Sequence, residues 1–250
     1  MPHSSCPIPW TIAAPSFVWP DRVGQNCRAL EPLVDEVAVT LFETESCLAY
    51  TQEDLPQDMA DLDLTYHLHL PLDLDWDCPA RAAASAAELA GMTAFLKPRA
   101  YVLHPPASPQ PLENFVQAWE QTGLSPADLL VENIQGNDLR AVWPVIRDAQ
   151  CGLCLDIGHL LLYDQQVILS QPGWMKRLRM LHVYGVGTTG SRHGPLSRLS
   201  LEDQALLKDL LTALPAEGVV VLEVFTPGDL FESLDIFNAW IRNWTLKLSP

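Results

Sequence analysis

Short apolar runs recur along the chain, and between them lie longer stretches in which apolar residues return every three or four positions. The runs cover 10–13, 36–43, 64–70, 100–104, 129–132, 152–157, 180–184 and 219–224. They are rich in Val and Leu and too short for helices, which is the pattern of strands buried on both faces. The intervening stretches predict helices. Residues 81–96 are Ala-rich and stop before Pro98, and 112–122 end at Gly123. Residues 139–149 follow an Asn-Asp cap, and 201–214 follow Ser200 with Glu202 and Asp203 in the first turn. Residues 230–244 place Phe231, Leu234, Phe237 and Ile241 on one face. A weaker helical signal covers 53–61.

Alternation of eight strands with about eight helices over this length predicts a single (β/α)8 TIM barrel spanning residues 1–250. An open doubly wound sheet would carry a Gly-rich phosphate loop after an early strand, and the sequence has none.

Composition narrows the partners. Net charge is −16 with only 15 Lys and Arg. A nucleic-acid partner needs a basic footprint, so none is expected. No apolar stretch approaches the ~18 residues of a membrane span, and MPHSSCPIPW lacks the features of a signal peptide. A cytoplasmic protein without a membrane partner is the expectation. The six cysteines are scattered. Cys151 and Cys154 are three apart in a strand and face opposite sides, so they read as reduced core residues and not as a shared metal site.

In a barrel of this kind the C-terminal strand ends line the active site. Read in order, those ends carry Glu43, His67 and His69, His104, Glu132, Asp156, His182 and Glu223, with His159 and His193 in the loops just beyond. One such His is usually a hydrogen-bonded packing residue, and one such acid usually caps a helix. The set is different. Several carboxylates brought together repel one another and lose hydration, and a divalent cation offsets both effects. Mixed imidazole and carboxylate donors suit Zn²⁺, Mn²⁺ or Fe²⁺ better than Ca²⁺ or Mg²⁺, with Zn²⁺ or Mn²⁺ preferred. His67 and His69 point the same way along their strand. His67 is the preferred ligand and His69 is left to the substrate. Trp19, Trp76 and Tyr163 follow strand ends and are candidates for an apolar mouth.

The order of these residues resembles the xylose-isomerase-like barrel superfamily, and within it the AP endonuclease family 2 type. The resemblance implies two divalent ions. His67 and His104 would hold one, Glu132 in "VEN" would bridge, and Asp156, His182 and Glu223 would hold the other, with His159 of "DIGH" a further candidate ligand. Glu132, Asp156 and Glu223 would be catalytic. Where that type has an Asp-x-His for a third ion, this chain has Ser191-Arg192-His193, so Arg192 and His193 are assigned to substrate together with Glu43 and His69. The stretches APSFVWP, DEVAVTLFE and YHLHLPLDLDW are similar to the cobamide-remodelling phosphodiesterases. That similarity implies hydrolysis of a phosphodiester in a small nucleotide-like substrate, the nucleotide loop of a B12-type corrinoid. Two alternatives stand beside it. One is a sugar isomerase or epimerase on the same barrel, using one metal and two glutamates. The other is a non-catalytic corrinoid or sugar binder with a degenerate site.

Overall fold

The computed structural model describes residues 9–187 and 193–244. Eight strands, β1 Thr11–Pro15, β2 Glu36–Thr40, β3 Thr65–His69, β4 Tyr101–Leu103, β5 Leu129–Glu132, β6 Gly152–Asp156, β7 Leu178–Val183 and β8 Val219–Leu222, form a closed barrel. Each pairs in parallel with its neighbours, and β8 closes against β1 through Thr11–Val219 and Ala13–Val221. Around it lie α1 Val23–Leu30, α2 Thr44–Leu48, α3 Pro79–Met92, α4 Pro109–Gln121, α5 Trp143–Asp148, α6 Ile157–Leu162, α7 Trp174–Arg177, α8 Leu201–Ala213 and α9 Pro227–Asn243. This is the (β/α)8 barrel expected from the alternation. Among the described residues no helix is long and apolar enough to cross a membrane.

The helix starts follow local chemistry. Ser200 and Asp203 form a reciprocal capping box on α8, and the Thr226 hydroxyl caps α9. A proline opens α3, α4, α5 and α9, where its missing N–H has no partner to lose. Helix α5 begins later than the pattern predicted, because Leu139 takes a left-handed conformation (φ 65°). Strand β2 ends at Thr40, before the predicted limit at Glu43, which becomes the first residue ahead of α2. The weak helical signal at 53–61 falls on a 3-10 turn at Gln57–Asp61, and helices α1, α2, α6 and α7 were not predicted. Each is eight residues or fewer and offers little periodicity to read.

Strand alternation divides the core in two. Outward residues such as Val37, Leu68, Val131, Leu155 and Val220 pack under the helices. Inward residues, including Ala13, Ala38, Val102, Leu130, Cys154, Met180 and Val221, fill the barrel axis.

Two polar residues share that interior. Glu36 is fully buried and accepts hydrogen bonds from His67 Nδ1 (2.6 Å), Thr65 Oγ1 (2.8 Å) and Arg99 Nη1 (3.1 Å). Burial pushes the Glu36 carboxyl up, but His67, the Thr65 hydroxyl and Arg99 outweigh it and hold it below the usual range. Burial depresses His67 more than Glu36 raises it, so the ring is neutral at pH 7 and donates from Nδ1. Replacing His67 by Leu leaves the buried carboxylate short of a donor and is expected to destabilise the fold by about 3–5 kcal/mol. Adding Glu36→Leu restores most of that loss. Urea denaturation of the single and double variants checks both expectations.

Candidate metal centre at the barrel mouth

Glu132, the last residue of β5, stands at the centre of the mouth. Its Oε2 lies 3.3 Å from His69 Nε2, 3.4 Å from His104 Nε2 and 3.6 Å from His182 Nδ1. His182 Nδ1 is also 3.4 Å from Glu223 Oε2, and His193 Nδ1 is 3.6 Å from the same carboxylate. His159 Nδ1 lies 3.4 Å from Asp156 Oδ2 and 3.9 Å from Glu132 Oε1.

Backbone geometry delivers these groups. Asp156 ends β6 and its Oδ1 caps α6 by accepting the His159 N–H at 2.7 Å, which leaves Oδ2 for the site. Asn133 ties the ends of β5 and β6 together. Its Oδ1 accepts the Asp156 N–H (2.8 Å), and its Nδ2 donates to the Asp156 carbonyl and to Gln165 Oε1, each at 3.0 Å. The Asn133 carbonyl accepts from His159 Nδ1 (2.9 Å), leaving Nε2 as that ring's free donor atom. His69 is fixed the same way, with Nδ1 on the Leu70 carbonyl (3.0 Å). Gly158 is required because a β-carbon there would run into the Tyr184 ring. That ring in turn lies tilted against His193, with ring centroids 4.2 Å apart.

The electrostatics show what the cluster lacks. Burial pushes Glu132 up, but His182 and His104 outweigh it and hold the carboxyl well below its ordinary range. Burial, then Glu223 and Glu132, push Asp156 well above its range. Burial lowers His182, but Cys154, Glu223 and Glu132 raise it well above the usual imidazole value. Both shifts favour the protonated forms, which is the response of a buried cluster short of positive charge. Among the described residues, Glu132 Oε2, Asp156 Oδ2, both His182 nitrogens and Glu223 Oε2 are buried without a hydrogen-bond partner. Four overlapping groups of donor atoms lie within 4.8 Å of one another: His69–His182–Glu223, His69–His104–Glu132, Glu132–Cys154–His182 and Glu132–Asp156–His159. Orphaned donors in such number fit divalent cations.

Three placements differ from the sequence reading. His67 faces the barrel interior but sits one level below the cluster, on Glu36, so His69 and not His67 joins the donor groups. Two residues along a strand are ~6.6 Å, and only the outer histidine reaches the mouth. Glu43 is exposed at the start of α2, where its carboxylate accepts from Ser46 Oγ (3.0 Å), outside the cluster. Trp76 packs at 5.3 Å on Phe115 of α4 and Trp19 lies against the core, whereas Tyr163 stands 5.6 Å from the His159 ring. Arg192 lies outside the described residues. The sequence reading missed Asn133 and Tyr184 and read Cys154 only as a reduced core residue, which is how it is placed, buried and unpaired, though within reach of Glu132 and His182. A signal existed for each: Asn133 adjoins Glu132, Cys154 is two before Asp156, and Tyr184 is two after His182.

No protein-family model and no curated protein sequence matches the chain. Solved structures do. A D-tagatose 3-epimerase-like protein is 15% identical, covers 93% of this chain and 97% of its own, and superposes with a TM-score of 0.72. A xylose isomerase domain protein from Planctomyces limnophilus is 13% identical over 96% and 99%, with a TM-score of 0.63. The IOLI protein with a bound zinc atom is 13% identical over 93% and 96%, with a TM-score of 0.62. The chain therefore has the xylose-isomerase-like (β/α)8 fold.

Proposed function

We propose that the protein is a metal-dependent hydrolase that cleaves a phosphodiester in a small nucleotide-like substrate, the nucleotide loop of a cobamide. The observation that carries this reading is the second donor group. Asp156 and His159 form one donor group with Glu132, on the side of its Oε1. His69 and His104 form a second donor group with the same carboxylate, at its Oε2, which suits two ions rather than one.

Such ions supply Lewis-acid activation of water and of a phosphoryl oxygen. The chain's own residues do the rest. Glu132, Asp156 and Glu223 hold the centre from three different strands. His159, anchored through Nδ1, offers Nε2 to accept a proton from the attacking water. Burial lowers its pKa, so the ring is neutral and ready to accept. His104 and His193 are the more exposed members of the group, and they face the substrate. A net charge of −16 suits a compact substrate and not a long polyanion.

The compared structures favour a second reading, since two of them are titled as an epimerase-like protein and a xylose isomerase domain protein. In that case one ion suffices, and Glu132 and Glu223 would move a proton between carbons of a sugar. The test is to give zinc- or manganese-loaded protein a cobamide and, separately, a panel of ketoses and aldoses. Release of a cobinamide phosphate from the cobamide supports hydrolysis. Sugar turnover with an intact cobamide establishes the second reading, and no turnover of either overturns both.

A further inference from the structure

We propose that Cys154 is a ligand of the metal centre, and that its sulfur makes the site select zinc over manganese. The proposal rests on the metal-centre reading above and names a donor which that reading does not include.

Cys154 is the Cα partner of Glu132 across β5 and β6, and it lies two residues before Asp156 on the same face of β6. It is fully buried on the barrel axis. Its Sγ, a Glu132 oxygen and a His182 nitrogen lie within 4.8 Å of one another. In a tetrahedral zinc site, bond lengths of ~2.0–2.3 Å place donor atoms on the order of 3.3–3.6 Å apart. An ion at this position therefore needs to draw the group together by ~1–1.5 Å at most.

A buried thiol alone is ordinary packing. The independent observation is His182, buried to 1% exposure with both ring nitrogens lacking a hydrogen-bond partner among the described residues, next to the equally orphaned Glu132 Oε2. An ion bound between sulfur, imidazole and carboxylate accounts for them together. Thiolate donors favour zinc and disfavour manganese. Binding displaces the Sγ proton, which leaves to solvent. Cys151, three residues earlier, faces the outer core and provides a control within the same strand region.

Cobalt(II) reports the ligand directly. Protein loaded with Co²⁺ is expected to show a near-ultraviolet thiolate-to-cobalt charge-transfer band. Cys154→Ser and Cys154→Ala should abolish the band while cobalt still binds, and Cys151→Ser should keep it. Competition between zinc and manganese should then favour zinc about 10–100-fold less in Cys154→Ser than in the parent. Bound cobalt without the band, or a band that survives Cys154→Ser, overturns the proposal and leaves the metal centre standing. Failure of any divalent ion to bind overturns the metal-centre reading, and this proposal with it. If neither Cys154 variant folds, cadmium NMR of the unsubstituted protein decides, because only a thiolate ligand moves the cadmium resonance far downfield.

Discussion

Glu132→Gln is expected to lower turnover by about 10³-fold or more and to empty the metal centre, while circular dichroism remains that of the parent. The substitution preserves size and removes charge. Glu132 Oε2 is the one oxygen approached by His69, His104 and His182. In the amide, one oxygen becomes an NH₂ donor that cannot bind a cation and confronts imidazole nitrogens meant for one. Metal ions contribute several kcal/mol of charge stabilisation in reactions of this kind, and each 1.36 kcal/mol is a factor of about ten in rate. The fold survives because the amide keeps the size and packing of the carboxylate at the end of its strand, although the favourable interactions with His182 and His104 are weakened. Steady-state kinetics with metal analysis of the same preparation check the expectation. Turnover within about tenfold of the parent would place the chemistry elsewhere.

Asp156→Asn is expected to stabilise the metal-free protein and destabilise the metal-loaded one relative to the parent. Without a cation, burial and the neighbouring Glu223 and Glu132 carboxylates push the Asp156 carboxyl well above its ordinary value. The folded protein then retains a proton that the unfolded chain releases near pH ~4. Folded stability therefore declines as pH rises from that point toward the raised folded value. Asparagine removes this penalty and keeps the Oδ1 that caps α6. At pH 7 the metal-free variant should be more stable by on the order of 1–4 kcal/mol, and the difference should vanish near pH ~3, where both chains carry the proton. With zinc at ~1,000 times its dissociation constant the parent gains about 4 kcal/mol. The variant gains far less, so the order reverses. Denaturant melts at the two pH values, with and without zinc, measure all four states.

Much of this arrangement is legible in the sequence, for a physical reason. Parallel strands covered on both faces read as apolar runs, and a polar residue ending such a run stands out. Glu132, Asp156, His182 and Glu223 were visible in this way. Alternation also fixes the face, which is why His67 and His69 could be read as sharing one. Depth along the strand is not written in the alternation. It depends on where the barrel's shear places each strand, and that placement put His67 on Glu36 and His69 at the mouth. Glu36 itself was read only as the first residue of an apolar run, because its partners Thr65, His67 and Arg99 are 29, 31 and 63 residues away. Asn133 was passed over because a single amide after a glutamate carries no signal until both of its strand-bridging hydrogen bonds are seen. The short helices α1, α2 and α6 were missed because five to eight residues span too little of a helical period.

On the proposed reading, imidazoles and carboxylates from the ends of five other strands converge on Glu132 to hold two divalent ions. Elemental analysis of protein reconstituted with zinc and freed of excess metal tests it most directly. Two zinc ions per chain, falling to one in the His69→Ala/His104→Ala double variant, is the predicted result. One ion per chain that the double variant leaves unchanged, or none at all, would contradict it.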